Sequence, residues 1–574
     1  MNPKLRLLWP WIAALLSGVL LANCYPPFTA DGLIWIWQAP LLGALWFSDL
    51  GEKRWGRGAL LGLVCGFVFF TINLSWITEI SHVAGTFFAG LGALVALALY
   101  LSLYFALFGA FAATAGRWII PKPDKNKKDL FELSFGVLKV AFLNGAAWCG
   151  LEWLRGILFT GFGWNTLGVA LENHLLLVQF ADVIGITGYG FVMMFSGVIA
   201  FCTLVRLGLE IRDRKRLRPH VDFAFGVALI IVLFLYGISK VSHVPDEAVD
   251  VRARIMQMNI PLEDKWSEDI EMRQKVIFDY RDLTRTFVES SPHDLVLWPE
   301  TALPGHFNFP WVQEYFNEHV LKGDDFYLLT GLEDSTLKGD EIYNTITLMK
   351  GSTETYQMHK KVHLVPIGEY LPFRDTFPIF VWIAGGVIEN DFTPGTIFEP
   401  LIIEKDGHEI DIVPLICFED SVPRHARNFL RQKPQIMVNV TNDGWFRDSA
   451  QPLQHFNNAL FRCIEFRRPM IRAANTGVSG FIDERGSVYD RRSTDKFARV
   501  LRDEESGSTH IRGSIPANVE VNLNPPMTIY ARYGDVFSVG MGVLALLATT
   551  FSFLVAKRTK PSITSPPPGN PPPE

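Results

Sequence analysis

Three polar residues stand where a strand-like segment stops. Cys417 follows Ile410-Asp411-Ile412-Val413-Pro414-Leu415-Ile416 and is followed at once by Phe418-Glu419-Asp420. A thiol at a strand end, on a rigid element where the chain turns, is placed as a nucleophile should be. The alternative for a lone cysteine is a small buried hydrophobe, and Cys463, within Leu460-Phe461-Arg462-Cys463-Ile464-Glu465, fits that description better. A Cys417–Cys463 disulfide also stays open outside a reducing compartment. Glu300 closes Leu295-Val296-Leu297-Trp298-Pro299; the proline ends the strand ladder and presents the carboxylate beyond the sheet edge, where a general base belongs. Lys361 lies in His359-Lys360-Lys361-Val362-His363-Leu364-Val365-Pro366-Ile367-Gly368-Glu369, where a strand-like segment enters a Pro and Gly loop. Taken alone, it equally describes a solvated surface lysine. His359, His363 and His455 have no metal-ligand spacing, and no metal is expected.

The elements that must hold these residues are short β-branched strands, expected at Val251–Met258, Asp294–Trp298, Asp325–Thr330, Ile410–Cys417, Gln435–Val440 and Met470–Ala474. Several are apolar throughout, as strands buried on both faces are. Ser267, followed by Glu268, Asp269 and Glu271, reads as a helix cap, and Ile270, Ile277, Tyr280, Leu283 and Phe287 supply one apolar face. This is the pattern of a layered α/β domain.

The remainder of the 574-residue chain is of another kind, with 49% hydrophobic residues overall placing part of it in lipid. Spans of about 20 apolar residues are expected at Leu8–Cys24, Leu33–Phe47, Ala59–Ile77, Thr86–Ala115, Phe135–Leu154, Gly188–Leu207 and Phe223–Ile238, with an eighth at Phe537–Ala556. The sequence Leu21-Ala22-Asn23-Cys24 superficially imitates a lipoprotein cleavage box, but Asn23 is bulky and Trp9, Pro10 and Trp11 crowd the apolar segment, so retention as a helix is expected. Basic residues alternate: Lys4 and Arg6, then Lys53, Arg54 and Arg57, then Arg117, Lys122, Lys125, Lys127 and Lys128, then Arg212, Arg214, Lys215, Arg216 and Arg218, then Lys557, Arg558 and Lys560. The intervening gaps are almost bare, Arg155 excepted, so both termini are expected in the cytoplasm and the α/β domain outside. The expected division is a helical bundle over 1–245, the α/β domain over 246–525, a last span over 526–558 and a disordered Pro-rich tail over 559–574. A net charge of −6 and the absence of a basic stripe exclude nucleic acid as an expected partner.

Read in order, Trp298-Pro299-Glu300, then Lys361 with His363-Leu364-Val365-Pro366 and Gly368-Glu369, then Cys417-Phe418-Glu419, then Asn442-Asp443-Gly444-Trp445-Phe446, the chain resembles the nitrilase superfamily. The flanking spans, Phe159-Thr160-Gly161-Phe162-Gly163-Trp164 and Pro526–Tyr533 make it more similar still to the membrane-bound apolipoprotein N-acyltransferase family. That resemblance implies an integral membrane α-helical bundle carrying a nitrilase-like αββα sandwich. It implies Glu300 as base, Lys361 as oxyanion stabiliser and Cys417 as nucleophile, with Glu369 and Glu419 orienting Lys361 or an incoming amine. Trp266, Phe418 and Trp445 match substrate-side aromatic positions, for which ordinary packing is the alternative. It also implies a phospholipid acyl donor, a diacylglyceryl apolipoprotein acceptor, the bacterial inner membrane with the catalytic domain in the periplasm, and no cofactor. The chain departs from the pattern where Phe418 replaces the expected Tyr and Gly444 a common Ala. The aromatic loops, with Phe373, Phe377, Phe380, Val381, Trp382, Ile383 and Phe392 in one and Phe307, Phe309 and Trp311 in the other, suit either the outer leaflet or a core.

Overall fold

The computed structural model describes residues 3–82, 85–120, 129–213, 219–265, 267, 269–372, 374, 376, 391–488 and 500–558. Its apolar stretches are helical, the form in which a lipid-facing segment satisfies its own backbone. They are α1 (Pro3–Ala22), α2 (Gln38–Phe47), α3 (Arg54–Asn73), α4 (Phe87–Ala112), α5 (Asp129–Arg155), α6 (Ala181–Arg212), α7 (Val221–Val241) and a last helix, Val536–Arg558. Among the described residues six of these, α3 to α7 and the last, are long and apolar enough to cross a membrane, and α1 has a shorter apolar segment, Arg6–Ala22. The expected span Leu33–Phe47 is not one unbroken helix. It divides into a 3-10 turn, Asp31–Trp35, and the 10-residue α2, which together take the chain from Pro26, held by Gln454 at the sandwich, to Trp46 at the other end of α4. Two of its polar groups are met by protein: Gln38 Nε2 donates to Trp35 O at 3.0 Å, and Leu41 N to Ser17 Oγ of α1 at 2.9 Å. The short helix still delivers the chain to the start of α3, where Arg54 donates to Leu45 O at 2.9 Å and Trp46 to Ala112 O of α4 at 3.0 Å. Helices α3 and α4 pack backbone to backbone: a Cβ on Gly62 would lie 2.1 Å from Phe105 O, the close approach that small residues four apart permit. Arg155, the exception to the alternation of charge, turns inward, buried, and donates to Trp164 O at 2.8 Å. The clusters Lys122–Lys128 and Arg214–Arg218 and the tail after 558 lie outside the described residues.

The α/β part runs β1 (Ala248–Gln257), α8 (Leu262–Lys265), α9 (Ile270–Ser290), β2 (Leu295–Leu297), β3 (Tyr327–Ser335), β4 (Ile342–Lys350), β5 (Ser352–Lys360), β6 (Leu401–Lys405), β7 (His408–Ile416), β8 (Gln435–Thr441), α10 (Gln451–Phe466), β9 (Met470–Ala474), β10 (Gly480–Ile482) and β11 (Gly513–Asn522). One sheet has the order β11-β1-β2-β3-β4-β5, the other β10-β9-β8-β7-β6. The centres of both are parallel, β1 with β2 and β3, and β7 with β8 and β9, so those strands are apolar on both faces. Val251, Ile255 and Leu297 of the first sheet meet Ile412, Val438 and Ile471 of the second. Val276 and Tyr280 of α9 cover Val296 and Trp298 on the outer face of the first sheet. Val413, Leu415 and Met437, on the outer face of the second, join α10 and the bundle in one apolar cluster. This is the αββα arrangement, with the bundle pressed on one side. The α9 cap is Asp269, which accepts from Glu271 N at 2.9 Å; Ser267, the expected cap, accepts from Asp269 N at 3.1 Å and shapes the approach instead.

The bundle and the sandwich meet along α10. Gln454 accepts from Trp76 Nε1 at 3.0 Å and Trp164 Nε1 at 2.8 Å, and donates to Pro26 O at 2.6 Å and Asn73 O at 3.1 Å. One side chain therefore gathers the loops that follow α1, α3 and α5. Asn458, one turn on, exchanges hydrogen bonds with Asn165 at 2.9 and 3.1 Å. Each buried polar group left unmet costs about 1–3 kcal/mol, so Gln454→Ala is expected to lower the thermal midpoint of the detergent-solubilised protein by several degrees, measured by intrinsic fluorescence. An unchanged midpoint would contradict this account of the seam.

Candidate active site

Glu300, Lys361 and Cys417 each leave the carboxyl end of a strand. Strands β2 and β3 are parallel and β4 and β5 antiparallel in turn, so β2 and β5 run the same way and bring Glu300 and Lys361 to one end of their sheet. Lys361 Nζ lies 2.7 Å from Glu369 Oε1 and 3.8 Å from Glu300 Oε1, with the lysine 1% exposed. Asn344 of β4 bridges the two carboxylates, donating at 2.8 Å to Glu300 and 3.2 Å to Glu369. Its own carbonyl accepts from Lys361 N at 2.8 Å. Burial depresses the lysine, but Glu369 and Glu300 outweigh it and hold the ammonium charged. Burial pushes the Glu300 carboxyl up, Lys361 opposes this and Glu369 adds to it, leaving it a stronger base than a solvated glutamate.

Cys417 opens a tight turn, Cys417–Ser421, with φ +52°. Its backbone oxygen accepts from Asn439 Nδ2 at 2.9 Å. The thiol is half-buried; burial and the Glu300 charge raise it, against Lys361, which lowers it. A neutral thiol beside a raised carboxylate attacks only if the proton moves to the base as the bond forms. Thr301 after Glu300 (φ +43°) and Ile367 between Lys361 and Glu369 (φ +65°) also occupy the left-handed region. Residues of this kind persist where surrounding contacts hold them, and they cluster at functional sites.

Glu369 pairs with Lys361. Glu419 does not: its oxygens accept from Val362 N at 2.9 Å, His363 N at 2.8 Å and Ile416 N at 2.8 Å, so it ties the Cys417 turn to the Lys361 loop through backbone. Burial opposes that carboxylate's charge, while His425 and His359 hold it well below the usual range. Phe418 stacks on Phe162 (6.2 Å between centroids) and Trp164 (6.1 Å) of the bundle, and on His363 (6.0 Å). Trp445 is half-buried beside Phe446, which packs on Trp76 at 4.7 Å. Trp266 and most of the aromatic loop, Phe373, Phe377, Phe380, Val381, Trp382 and Ile383, lie outside the described residues. Every cysteine is free, so the Cys417–Cys463 pairing does not occur, and Cys463 is buried.

Asn344, Lys265 and a buried ionic cluster are additions from the fold. His455 of α10 lies 2.9 Å from Asp420 and 2.8 Å from Asp443, and Arg472 reaches Asp420, Asp443 (3.2 Å) and Asn439 (2.9 Å). Burial and Arg472 push the imidazole down; the two aspartates prevail and raise it. The cluster thus backs the Cys417 turn with fixed charge. The run Ile342-Tyr343-Asn344-Thr345-Ile346-Thr347 has the β-branched character that could have disclosed β4; nothing in the sequence marks Lys265 as buried.

Residues 17–199 match the family model for the apolipoprotein N-acyltransferase N-terminal domain, and 252–498 that for carbon-nitrogen hydrolase. Curated relatives from several bacteria bear the name apolipoprotein N-acyltransferase. That of Geobacter metallireducens is 31% identical over 94% of this chain and 95% of its own, that of Nitrosomonas europaea 31% over 86% and 89%, and that of Rhodopseudomonas palustris 30% over 97% and 97%. Of solved structures, Nit3 of Saccharomyces cerevisiae, a nitrilase-superfamily member, aligns with 50% of this chain and 94% of its own at 15% identity, with a TM-score of 0.33.

The electrostatics give opposite signs for two substitutions. Glu300→Gln removes a charge that raises the thiol, and Lys361→Met removes one that lowers it. The pH midpoint for alkylation of Cys417 by iodoacetamide, followed by mass spectrometry, should fall in the first and rise in the second, each by on the order of one unit. Shifts in the same direction would contradict the arrangement.

Proposed function

Because this chain belongs to the apolipoprotein N-acyltransferase family, we propose that it transfers an acyl chain in two steps through a thioester on Cys417. In the first, Cys417 Sγ attacks the ester carbonyl of a phospholipid as Glu300 takes the thiol proton. Lys361 Nζ faces the oxyanion, a charge that a fixed cation in a water-poor site stabilises strongly. The ester C–O bond then breaks, and the leaving lysophospholipid oxygen receives the proton back from Glu300. In the second, the α-amine of the N-terminal diacylglyceryl-cysteine of an apolipoprotein attacks the thioester carbonyl and gives a proton to Glu300. The C–S bond breaks, the proton returns to Cys417, and an amide remains. Neither step calls for a metal or an organic cofactor.

One observation carries this reading: the nucleophile turn is seated on the bundle, with Phe418, next to Cys417, stacked on Phe162 and Trp164. A lipid acyl chain must reach the thiol from the bilayer, whereas hydrolysis of a small soluble amide needs no such contact. Phe418 supplies a ring and no hydroxyl, so its part is packing. The location that goes with this is the bacterial inner membrane, with the basic turns in the cytoplasm and the α/β part, about 246–525, in the periplasm between the bundle of 1–245 and the span of 526–558.

Purified protein given a phospholipid and a diacylglyceryl lipopeptide should release lysophospholipid only when the lipopeptide amine is free, beyond a single turnover. Glu300→Gln, Lys361→Ala and Cys417→Ala should each fold, insert and lose turnover by about 10²-fold or more. A Cys417→Ala protein of full activity would sink the assignment. Reporter fusions after Lys240 and after Lys560 should report opposite sides of the membrane, and the same side for both would overturn the orientation.

A further inference from the structure

We propose that Lys265 is a positioning residue of this site, one that fixes the turn bearing Glu300 and sets a second ammonium against it. Lys265 ends the four-residue α8 and is 1% exposed. Its Nζ donates to the main-chain oxygen of Glu300 at 3.1 Å and to Thr301 Oγ1 at 2.8 Å. These are the two residues of the turn whose left-handed Thr301 sends the chain away from β2. Glu300 is thus met by cations from two elements: Lys361 after β5, on the carboxylate, and Lys265 of α8, beneath the main chain.

The other charged groups facing this pair are few. Glu369 acts on Glu300, and Glu300 in turn on the Cys417 thiol. Glu333 of β3 acts on Lys265, and His306 lies 3.6 Å from Glu333. The outer side of α8 is tied by Glu263, 3.1 Å from Arg447. A buried amine is costly to hold, and a neutral donor would serve a hydrogen bond to a carbonyl and a hydroxyl equally well. What the amine adds is charge: burial prevails and brings Lys265 down to about 8, against Glu300 and Glu333, which support its protonation, and it in turn lowers Glu300.

The inference rests on Glu300 as the base and is tested through it. The rate of thioester formation on Cys417, read by intact mass after mixing with phospholipid, is measured against pH for the wild type, Lys265→Met, Lys265→Arg and Glu300→Gln. Lys265→Met should move the acidic limb of the profile to higher pH by on the order of one unit and slow acylation several-fold at neutral pH. Lys265→Arg should keep the limb in place. If Lys265→Met does not fold, Lys265→Gln, which keeps a donor without the charge, reads the same limb. An unmoved limb in the neutral variant overturns the proposal, whether its rate is unchanged or reduced evenly at every pH. Wild-type acylation by Glu300→Gln would overturn the base assignment instead, a distinct result.

Discussion

An ammonium taken out of water costs several kcal/mol unless carboxylates meet it, and Lys361 is met by Glu369 at 2.7 Å and Glu300 at 3.8 Å. Much of the site's architecture follows from that requirement. Strand β4 must lie beside β5 so that Asn344 can bridge the carboxylates. The loop after Lys361 must fold back so that Glu369 Oε2 can accept from Val365 N at 2.8 Å. Gly395 N must reach Lys361 O at 2.7 Å, an approach so close that a Cβ there would lie 2.3 Å from Lys360 O. Two acids and one base in one buried space also separate their proton affinities, which gives one carboxylate the character of a base while the lysine stays charged.

The second dependence is mechanical and passes through α10. Consecutive residues of that helix face different tasks: Gln454 binds the loops of the bundle, and His455 joins the aspartates behind the Cys417 turn. Trp164 closes the circuit, donating to Gln454 and stacking on Phe418, with His455 5.4 Å from its ring. Polar networks of this kind are high in cost if any member is unmet and rigid when all are met. The membrane part is therefore coupled to the Cys417 turn by direct contact.

What the sequence disclosed follows from where burial is continuous. β1, β2, β3, β7, β8 and β9 form the parallel centres, and their apolar runs are visible without a structure; Glu300 and Cys417 stand at the points where such runs break, and Lys361 where a strand-like segment enters a Pro and Gly loop. Strands β5 and β6 are exposed on one face and carry Glu354, Gln357, Glu404 and Lys405, so hydrophobicity does not announce them. The break before α2 lies within a segment that has the composition of a single span, and only Gln38 and Pro40 hint at it. Glu419 and Lys265 owe their roles to tertiary placement, the one accepting from three backbone N–H groups and the other donating behind Glu300, and no local pattern encodes either.

The central claim is that Cys417 carries the acyl group between two substrates and that the amine, not water, removes it. Protein mixed with phospholipid alone and analysed by intact mass should hold one fatty acyl group on Cys417. That group should be removable by neutral hydroxylamine, absent from Cys417→Ala, and discharged quickly only by a lipopeptide with a free N-terminus. No added mass, or an adduct that water removes as fast as the lipopeptide does, would contradict the account.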